Sequence, residues 1–474
     1  MSINSVLNIA SGAMAAQQTI IQTTGNNISN VSTPGYSRQR VELGALAEQH
    51  WNYGSIGSGV SVLNVTQARD TMLDSAFRVE TSSAAGSQLK QELLGNVEGV
   101  LGEPSETGLA SAMDAFWSSW SDLATQPTSP AARSVVQQRG QQVASMLNGF
   151  DARLTDLSQN AAVQLDSTAT QINSLSDQIA QLNGRIVSTE VDGTMANDLR
   201  DQRNNAIDAL SKLGTVRVIQ NPNGSVQVQL GNNTIVDDTN GRHVKTVTAA
   251  SGDVALQMSN GTEPMLPVGG TSQVLLDFLN KDVKNVRGQL DALANGLVTS
   301  VNALHNTGEV YPAGGTPAAA GDFFDPTHVS ARDISLSTAV AANAANIAAG
   351  AATPSGTNAA GSGNNEIALA MAKLRDTPTQ VTYVDVTGQT QSGSFTSFYG
   401  DVNSRLGTQV NNAAADADVH STLASQADSR RQSVSGVNLD EELTTLMRAQ
   451  QAYSAAAKVV STASDMMKTL IDMA

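Results

Sequence analysis

The amino-acid sequence predicts a mainly α-helical protein with a β-rich central domain and a nested architecture, in which both chain ends contribute to the same outer layers. Three observations predict this fold class. Apolar residues recur every seven residues at both ends of the chain. Longer rows of the same period lie further inward, and an alternating β-type pattern occupies the middle. Seven-residue rows place apolar side chains along one helix face, which favours pairing of helices.

The two chain ends carry matching heptad rows. The first 37 residues contain no Asp, Glu, Lys, Arg or His, and we predict a helix over 3–29. Its apolar row consists of Leu7, Met14, Ile21 and Ile28. The C-terminal row consists of Leu439, Leu446, Tyr453, Val460 and Met467, beside a second row of Leu443, Gln450, Ala457 and Ile471. We expect these two helices to pair with each other, with neighbouring copies, or with both.

A turn and an extended connector are predicted after the N-terminal helix. Pro34 disfavours a helical conformation of Thr33, and Pro34-Gly35 suits the centre of a type II turn. Residues 37–65 hold glycines between short β-like runs, so we interpret them as an extended connector with a small hairpin.

Long helices are predicted on either side of the β-rich middle. The first three cover 66–101, 107–125 and 131–187. The last of these carries a coiled-coil row of Leu165, Ile172, Ile179 and Ile186. A helix over 272–305 carries the row Leu276, Val283, Leu290, Leu297 and Leu304 and is a plausible partner for it. Phe116, Trp117 and Trp120 are interpreted as core aromatics.

The middle of the chain changes period. Valines and Leu230 alternate with polar residues on both sides of Asn221-Pro222-Asn223-Gly224, which predicts a hairpin. Helical pattern resumes near 365–375, a β-like patch follows at 381–386, and a last long helical region starts near 395 and is interrupted around Ser435-Gly436.

These patterns predict four regions. They are a terminal coiled-coil domain from 1–40 with 437–474, a helical bundle with small β-hairpin elements from 41–210 with 271–310 and 362–436, a β-rich outer domain at 211–270, and a loop-rich Gly/Ala/Pro insertion at 311–361.

Composition excludes several classes of function. The chain has 474 residues and a net charge of −16, which disfavours nucleic-acid binding because phosphates would be repelled. Cysteine is absent, which excludes disulfides and Cys-based metal sites; this fits either a reducing cytosol or passage unfolded through a narrow exporter. We also expect no secretory signal and no membrane insertion, because polar residues interrupt every apolar run.

No pattern of catalytic residues stands out. The five histidines lack zinc spacing, and neither a nucleophile elbow nor a phosphate-binding loop is present, so we expect no enzyme activity and no cofactor. Asp440-Glu441-Glu442 is interpreted as the first turn of the last helix, with Asn438 as N-cap and Glu441 at the capping-box position.

The chain ends are expected to need partners. Ordering a helix costs about 1–2 kcal/mol per residue in backbone entropy, whereas each buried large side chain returns roughly 1.5–3 kcal/mol. A single apolar row against a single partner helix is therefore marginal. A helix buried within a monomeric bundle remains the alternative explanation.

Both chain ends carry distinctive motifs. The N-terminal motif is Asn26-Asn27-Ile28-Ser29-Asn30 followed by Thr33-Pro34-Gly35-Tyr36, and the C-terminal motif consists of the segments 436–442, 449–453 and 464–467. Together they resemble the N- and C-terminal signatures of the bacterial flagellar axial proteins, the superfamily of rod, hook and hook-associated proteins. Within the superfamily, the long helical bundle, Tyr36-Ser37-Arg38-Gln39 and Leu275-Leu276-Asp277-Phe278 resemble the FlgK family of hook-associated proteins.

The resemblance implies a structural role at the hook–filament junction, in the extracellular flagellum. It implies export, unfolded, from the cytoplasm by the flagellar type III apparatus, and assembly as a ring layer at the hook tip with the terminal helices as the inner tube. The implied partners are copies of itself, the hook protein, a second hook-associated protein toward the filament, and a cytoplasmic export chaperone that binds the C-terminal helix.

The same resemblance marks the residues expected to carry assembly. They are Leu7, Met14, Ile21, Ile28, Asn30, Pro34, Gly35, Tyr36, Leu439, Leu443, Leu446, Tyr453, Val460, Met467 and Ile471. Two alternatives stay open: another axial structural protein of hook or distal rod type, and a cell-wall hydrolase carried outward on the axial scaffold.

Overall fold

The computed structural model describes residues 3–51, 54–103, 105–265, 268–311, 317–352, 361 and 363–473. Its helices are α1 (Ile3–Ser29), α2 (Thr71–Leu101), α3 (Leu109–Thr125), α4 (Pro130–Thr189), α5 (Asn197–Leu213), α6 (Gly270–Asp277), α7 (Val283–His305), α8 (Thr338–Ala342), α9 (Glu366–Leu374), α10 (Phe395–Ser435) and α11 (Leu439–Asp472). A π-helical turn, Phe278–Asp282, joins α6 to α7. The predicted fold class is confirmed: long helices dominate, and the sheets are small and antiparallel.

The strands form six small sheets within the described residues. Near the N-terminus, β1 (Gln39–Ala45) pairs with β4 (Val60–Gln67), and β2 (Gln49–Trp51) pairs with β3 (Gly54–Ile56). The middle of the chain holds β5 (Val216–Gln220), β6 (Val226–Leu230), β7 (Asn233–Asp237), β8 (Asn240–Gly241), β9 (Val244–Thr248) and β10 (Val254–Met258). The remaining strands are β11 (Gly308–Val310), β12 (Ala318–Ala319), β13 (Gly350–Ala351), β14 (Val381–Val384) and β15 (Thr390–Gly393).

The long helix α4 forms the spine of the bundle. It begins at an N-cap, Ser129, whose side chain accepts a hydrogen bond from the Ala132 amide, and Pro130 occupies its first position, where no amide hydrogen is needed. Its 60 residues span about 90 Å. The predicted row of Leu165, Ile172, Ile179 and Ile186 is fully buried.

The predicted hairpin of the middle region is present between β5 and β6. Its loop closes through hydrogen bonds from the Asn221 amide to Ser225 O and from the Gly224 amide to Asn221 O. Gly224 has φ of 85°, a backbone conformation that L-residues with side chains rarely adopt. β7, β8 and β9 pack on the second half of α4, so this β-rich part sits against the bundle.

Aromatic side chains fill the core at the other end of the bundle. Phe116, Trp117 and Trp120 are buried, as predicted. Phe323 packs against Phe116 and Trp120, with ring centroids 5.8 and 5.5 Å apart. Phe324 is equally buried. Two adjacent phenylalanines therefore anchor the described part of 311–361, the predicted loop-rich insertion, in the main core.

Both chain ends return to the same place. α1 packs along α11, and β1 and β4 cover another face of α1. The approach is close: a Cβ added to Gly12 of α1 would lie 3.0 Å from Val60 O of β4. α10 runs along α2, which connects this terminal part to the bundle.

Candidate assembly site

The paired chain ends form an antiparallel helix pair. Near the end of α1, Asn27 donates a hydrogen bond from Nδ2 to Oε2 of Glu442, in the first turn of α11, at 3.0 Å. The two helices are in extensive contact. Because the end of α1 lies beside the start of α11, they run in opposite directions. The predicted row of α1 is half-buried throughout: Leu7, Met14, Ile21 and Ile28.

The face of α11 toward α1 combines large and small side chains. The half-buried part of its predicted first row consists of Leu446, Tyr453, Val460 and Met467. The fully buried positions are Glu442, Ala449 and Ala463, each four residues before a member of that row. Small alanine side chains let two helix backbones approach closely. The side of α11 that carries Ala449 and Ala463 therefore forms the seam with α1.

Most of the second predicted row of α11 lies outside this seam: Leu443, Gln450 and Ile471 are exposed, whereas Ala457 is half-buried. Leu443 is 47% exposed and Ile471 is 69% exposed, and Leu439 at the start of the first row is 44% exposed. Further exposed apolar side chains are Met447, Val459, Met466 and Leu470 on the same helix and Met473 directly after its end. A helix with this many exposed apolar side chains beside an occupied seam has surface available for further contacts.

A buried asparagine connects the two ends to the turn that follows α1. Asn27 is 1% exposed, and all its polar atoms are engaged. Nδ2 donates to Gln39 O at 2.9 Å as well as to Glu442, while Oδ1 accepts from the Tyr36 hydroxyl at 2.8 Å and from the Gln39 amide at 2.9 Å. This single side chain therefore fixes α1, β1 and α11 relative to one another.

The predicted type II turn is present at Thr33–Tyr36. The Tyr36 amide donates to Thr33 O at 3.2 Å, and Gly35 has φ of 77°, the value that the third position of a type II turn requires. Asn30 supports the turn by accepting a hydrogen bond from Thr33 Oγ1 at 3.1 Å. Pro34 is exposed at its tip.

Gly35 also meets a steric limit. A Cβ at this position would lie 2.1 Å from Oδ1 of Asn205 in α5.

Burial, followed by the nearby charges of Asp198, Asp201 and Glu442, raises the pKa of Tyr36 above its ordinary value, so its hydroxyl stays neutral and remains a hydrogen-bond donor.

An arginine joins the turn to the start of α11. Arg38 donates from Nε to Oε1 of Glu442 at 2.6 Å and from Nη1 to Oε2 of Glu441 at 2.7 Å. Glu442 is 2% exposed, so its carboxylate depends on Arg38 and Asn27 for compensation. Asn438 caps α11 as predicted, and Glu441 stands at the predicted third position of the helix, where its carboxylate binds Arg38.

A second carboxylate joins the same turn to the bundle. Asp201 of α5 accepts hydrogen bonds from the Ser37 amide at 3.0 Å and from Ser37 Oγ at 2.6 Å, and Arg69 Nη1 lies 3.4 Å away. Burial raises the pKa of Asp201, against the opposing effect of the Ser37 hydrogen bonds. Beside it, Asp208 pairs with both Arg78 of α2 and Arg431 of α10.

Apart from Tyr36, the residues of this network are not among the predicted assembly residues, although several of them stand in the sequence motifs. Asn27, Ser37, Arg38, Asp201 and Glu442 all form contacts with residues far away in the chain, and only a three-dimensional arrangement reveals them. One signal was available: Arg38 is the first charge after a long uncharged segment. Such a residue at the end of an apolar helix is a candidate for an ion pair with the other chain end.

The described part of the chain offers no support for a metal site or a membrane-spanning helix. Within it, no group of His, Asp and Glu side chains is arranged to hold a metal ion. No described helix is both long and apolar enough to cross a membrane.

Comparison with known proteins identifies the family. Residues 94–324 match the family described as flagellar hook-associated protein FlgK helical domain. Flagellar hook-associated protein 1 of Bacillus subtilis (strain 168) is 30% identical over 513 residues, covering 98% of this chain and 97% of that protein. The chain belongs to the FlgK family. It is therefore a structural component of the flagellar axis that joins hook to filament, and not an enzyme.

Other matches agree with membership in the FlgK family. The ends match two families of the wider superfamily, flagella basal body rod protein at 7–36 and flagellar basal body rod FlgEFG protein C-terminal at 429–473. Flagellar hook-associated protein 1 of Salmonella typhimurium is 25% identical, covering 99% of this chain and all of that protein. The rod-type ends explain why sequence motifs alone left the hook or distal rod type open; the match to the helical domain decides between them.

A solved structure shares the fold of this FlgK-family chain. The flagellar hook junction protein FlgK from Burkholderia pseudomallei superposes with a TM-score of 0.61 at 18% sequence identity. The match covers 77% of this chain and 100% of that one.

Proposed function

We propose that this chain forms a ring layer of identical copies at the hook tip, between the hook protein and a second hook-associated protein toward the filament, and that its paired ends make the contacts within that layer. The observation that carries the proposal is the surface of α11, where apolar side chains remain exposed although the seam with α1 is occupied. In this arrangement α1 and α11 form the inner domain, 1–40 with 437–474, and the bundle and the β-rich region 211–270 lie outside it.

The buried polar network supports this division of roles. Asn27, Arg38 and Glu442 hold the two ends together, while Ser37, Asp201 and Arg69 connect them to the bundle. The pair can therefore be presented to neighbouring copies as one unit with a defined orientation. The predicted assembly residues Asn30, Pro34, Gly35 and Tyr36 shape the turn that sets this orientation.

Export precedes assembly in this proposal. The chain would leave the cytoplasm unfolded through the flagellar type III apparatus and take up its place outside the cell. Before export, a cytoplasmic chaperone would cover the stripe from Leu439 to Ile471, because an unfolded chain lacks α1 to shield it. The absence of cysteine is compatible with this route.

Complementation of a strain that lacks the gene tests the role of the α11 surface. The wild-type gene should restore filaments, whereas Leu443→Gln combined with Met466→Gln should leave hooks without filaments, with flagellin shed into the medium. These side chains are 47% and 55% exposed, so their replacement should not disturb the fold of the single chain.

A matched control separates assembly from general effects of surface substitution. Leu369 of α9 is 45% exposed and lies outside the terminal pair, so Leu369→Gln should support normal filaments. Western blots of the medium report export of each variant. Normal filaments with the α11 double variant would refute the role of this surface, and retention of that variant in the cytoplasm would assign it to export instead.

A further inference from the structure

A positively charged groove lies between α2, α5 and the β5–β6 hairpin, away from the α1–α11 seam. It encloses about 560 Å³. Its wall includes five arginines and a single acidic residue, Asp74; the arginines are Arg69, Arg78, Arg200, Arg203 and Arg217. This local excess of positive charge contrasts with the net charge of −16 of the whole chain.

Three of the five arginines are neutralised by carboxylates. Arg69 pairs with Asp74 at 2.8 Å. Arg78 pairs with Asp208, and Arg200 pairs with Glu190, each at 2.7 Å. The groove's uncompensated charge therefore comes from the other two arginines.

Arg203 is a buried cation without a carboxylate partner among the described residues. It is 5% exposed, and its Nη1 donates to Asn183 Oδ1 at 2.9 Å and to Gly224 O at 2.8 Å. Its Nε has no hydrogen-bond partner. Burial, followed by the charge of Arg200, lowers the pKa of Arg203 to about 10. Glu190, the carboxylate that pairs with Arg200, opposes this shift without forming an ion pair with Arg203. A buried guanidinium with no carboxylate in direct contact is costly, and an anion beside it would relieve that cost.

Arg217 extends the same charge to the opening of the groove. It is exposed on β5, and the ion pairs of the groove among the described residues belong to Arg69, Arg78 and Arg200. A buried unpaired arginine and an exposed unpaired arginine on one groove provide a path of positive potential from solvent inward. Arginine binds phosphate and carboxylate oxygens well because its planar fork offers paired donors.

We propose that this groove binds a small oxyanion, with Arg203 at its base and Arg217 at its rim. The ligand carries two or three charged oxygens, as a free phosphate ion does or as the carboxylate of a neighbouring copy of this chain does. The inference is independent of the proposed role of α1 and α11, because none of the groove residues belongs to either helix.

Titration of the full-length protein with inorganic phosphate tests the groove, with ionic strength held constant by chloride. Calorimetry should show saturable binding of one phosphate per chain. Arg203→Met should weaken binding by at least about tenfold, because charge-assisted hydrogen bonds are lost. Arg217→Gln, at an exposed position that leaves the fold intact, should weaken it by about threefold through the lost long-range attraction.

The control is Arg153→Gln, which removes an exposed arginine of α4 outside the groove and should bind phosphate as the wild type does. Sedimentation then identifies the source of the anion. If phosphate suppresses self-association of the wild type, the natural ligand is a neighbour's carboxylate; if phosphate leaves self-association unchanged, it is a free anion. The absence of saturable binding, or equal affinity in wild type and Arg217→Gln, would overturn the proposal.

Discussion

At the scale of single residues, the link between the two chain ends depends on one buried carboxylate. Glu442 of α11 is paired with Arg38, whose position in the chain lies 404 residues earlier. Removing one partner of a buried pair leaves the other charge uncompensated, which costs more than the pair itself contributes. An exposed pair contributes little, because water already solvates both charges.

Glu442→Gln should therefore lower the free energy of unfolding by about 3 kcal/mol, because Arg38 loses its buried counter-charge. Glu441→Gln provides the control: Glu441 binds the same arginine, but its side chain is 58% exposed, so the loss should stay below about 1 kcal/mol. Guanidinium denaturation measures both. Equal losses for the two variants would mean that burial of Glu442 is not what makes the contact important.

Gly35→Ala should destabilise the chain by about 2–3 kcal/mol, because it combines a strained backbone with a clash against Asn205. Gly193 has φ of 79° but open space around it, so Gly193→Ala isolates the backbone term and should cost only about 1 kcal/mol. Denaturation curves compare the two. If both alanines cost the same, close approach to α5 does not constrain Gly35.

His305 should make stability depend on pH. It is fully buried; Nε2 accepts from the Ala348 amide at 3.0 Å, so Nδ1 carries the proton and donates to Gly321 O. Burial lowers the pKa of His305. The unfolded state, with a pKa of about 6.5, then binds more protons, so stability is fully present above about pH 6.5 and is lost as pH falls toward the lowered pKa.

Denaturation at a series of pH values tests this dependence. His305→Gln should be less stable at neutral pH but should show a flatter decline below about pH 6.5. His50→Gln, at an exposed position, should keep the wild-type slope. A slope in His305→Gln that equals the wild-type slope would contradict the assignment.

At the scale of elements, the seam of α11 depends on its alanines. Ala449 is 3% exposed against α1, whereas Ala452, three residues later, is exposed. Ala449→Leu should force α1 and α11 apart and reduce stability by about 1–3 kcal/mol, as overpacking does. Ala452→Leu should be tolerated. Hydrogen exchange of α1 reports the separation, and unchanged protection in Ala449→Leu would contradict the proposed packing.

Elements with strong apolar periodicity were predictable from sequence, and those held by polar contacts were not. The rows of α1, α4 and α7 predicted their helices because burial of large side chains fixes one face. α5, Asn197–Leu213, was not recognised as a separate helix, because Asn197, Asp201 and Arg203 occupy buried positions on it. The buried phenylalanines of 317–352 were missed because an Ala- and Asn-rich context hides two large side chains.

At the scale of the whole molecule, the nested arrangement follows from pairing between segments that are far apart in the chain. Local periodicity predicted that each end forms a helix with an apolar row, but it could not predict the antiparallel direction or the choice of the alanine side for the seam. Those depend on Asn27, Arg38 and Glu442, whose contacts span more than 400 residues. The chain ends are thus connected by a small polar network and by a seam of alanines and half-buried apolar side chains. The main hydrophobic core lies in the bundle.

The central claim is that the paired ends are incomplete in the single chain and are completed by neighbouring copies. Hydrogen exchange of the full-length protein, first as a dilute monomer and then assembled on isolated hooks, tests it most directly. In the monomer, 1–40 and 440–474 should exchange at least about tenfold faster than α4, because few of the described side chains in these segments are buried. Assembly should protect both segments. Protection of both ends equal to that of α4 in the dilute monomer, or no gain on assembly, would contradict the account.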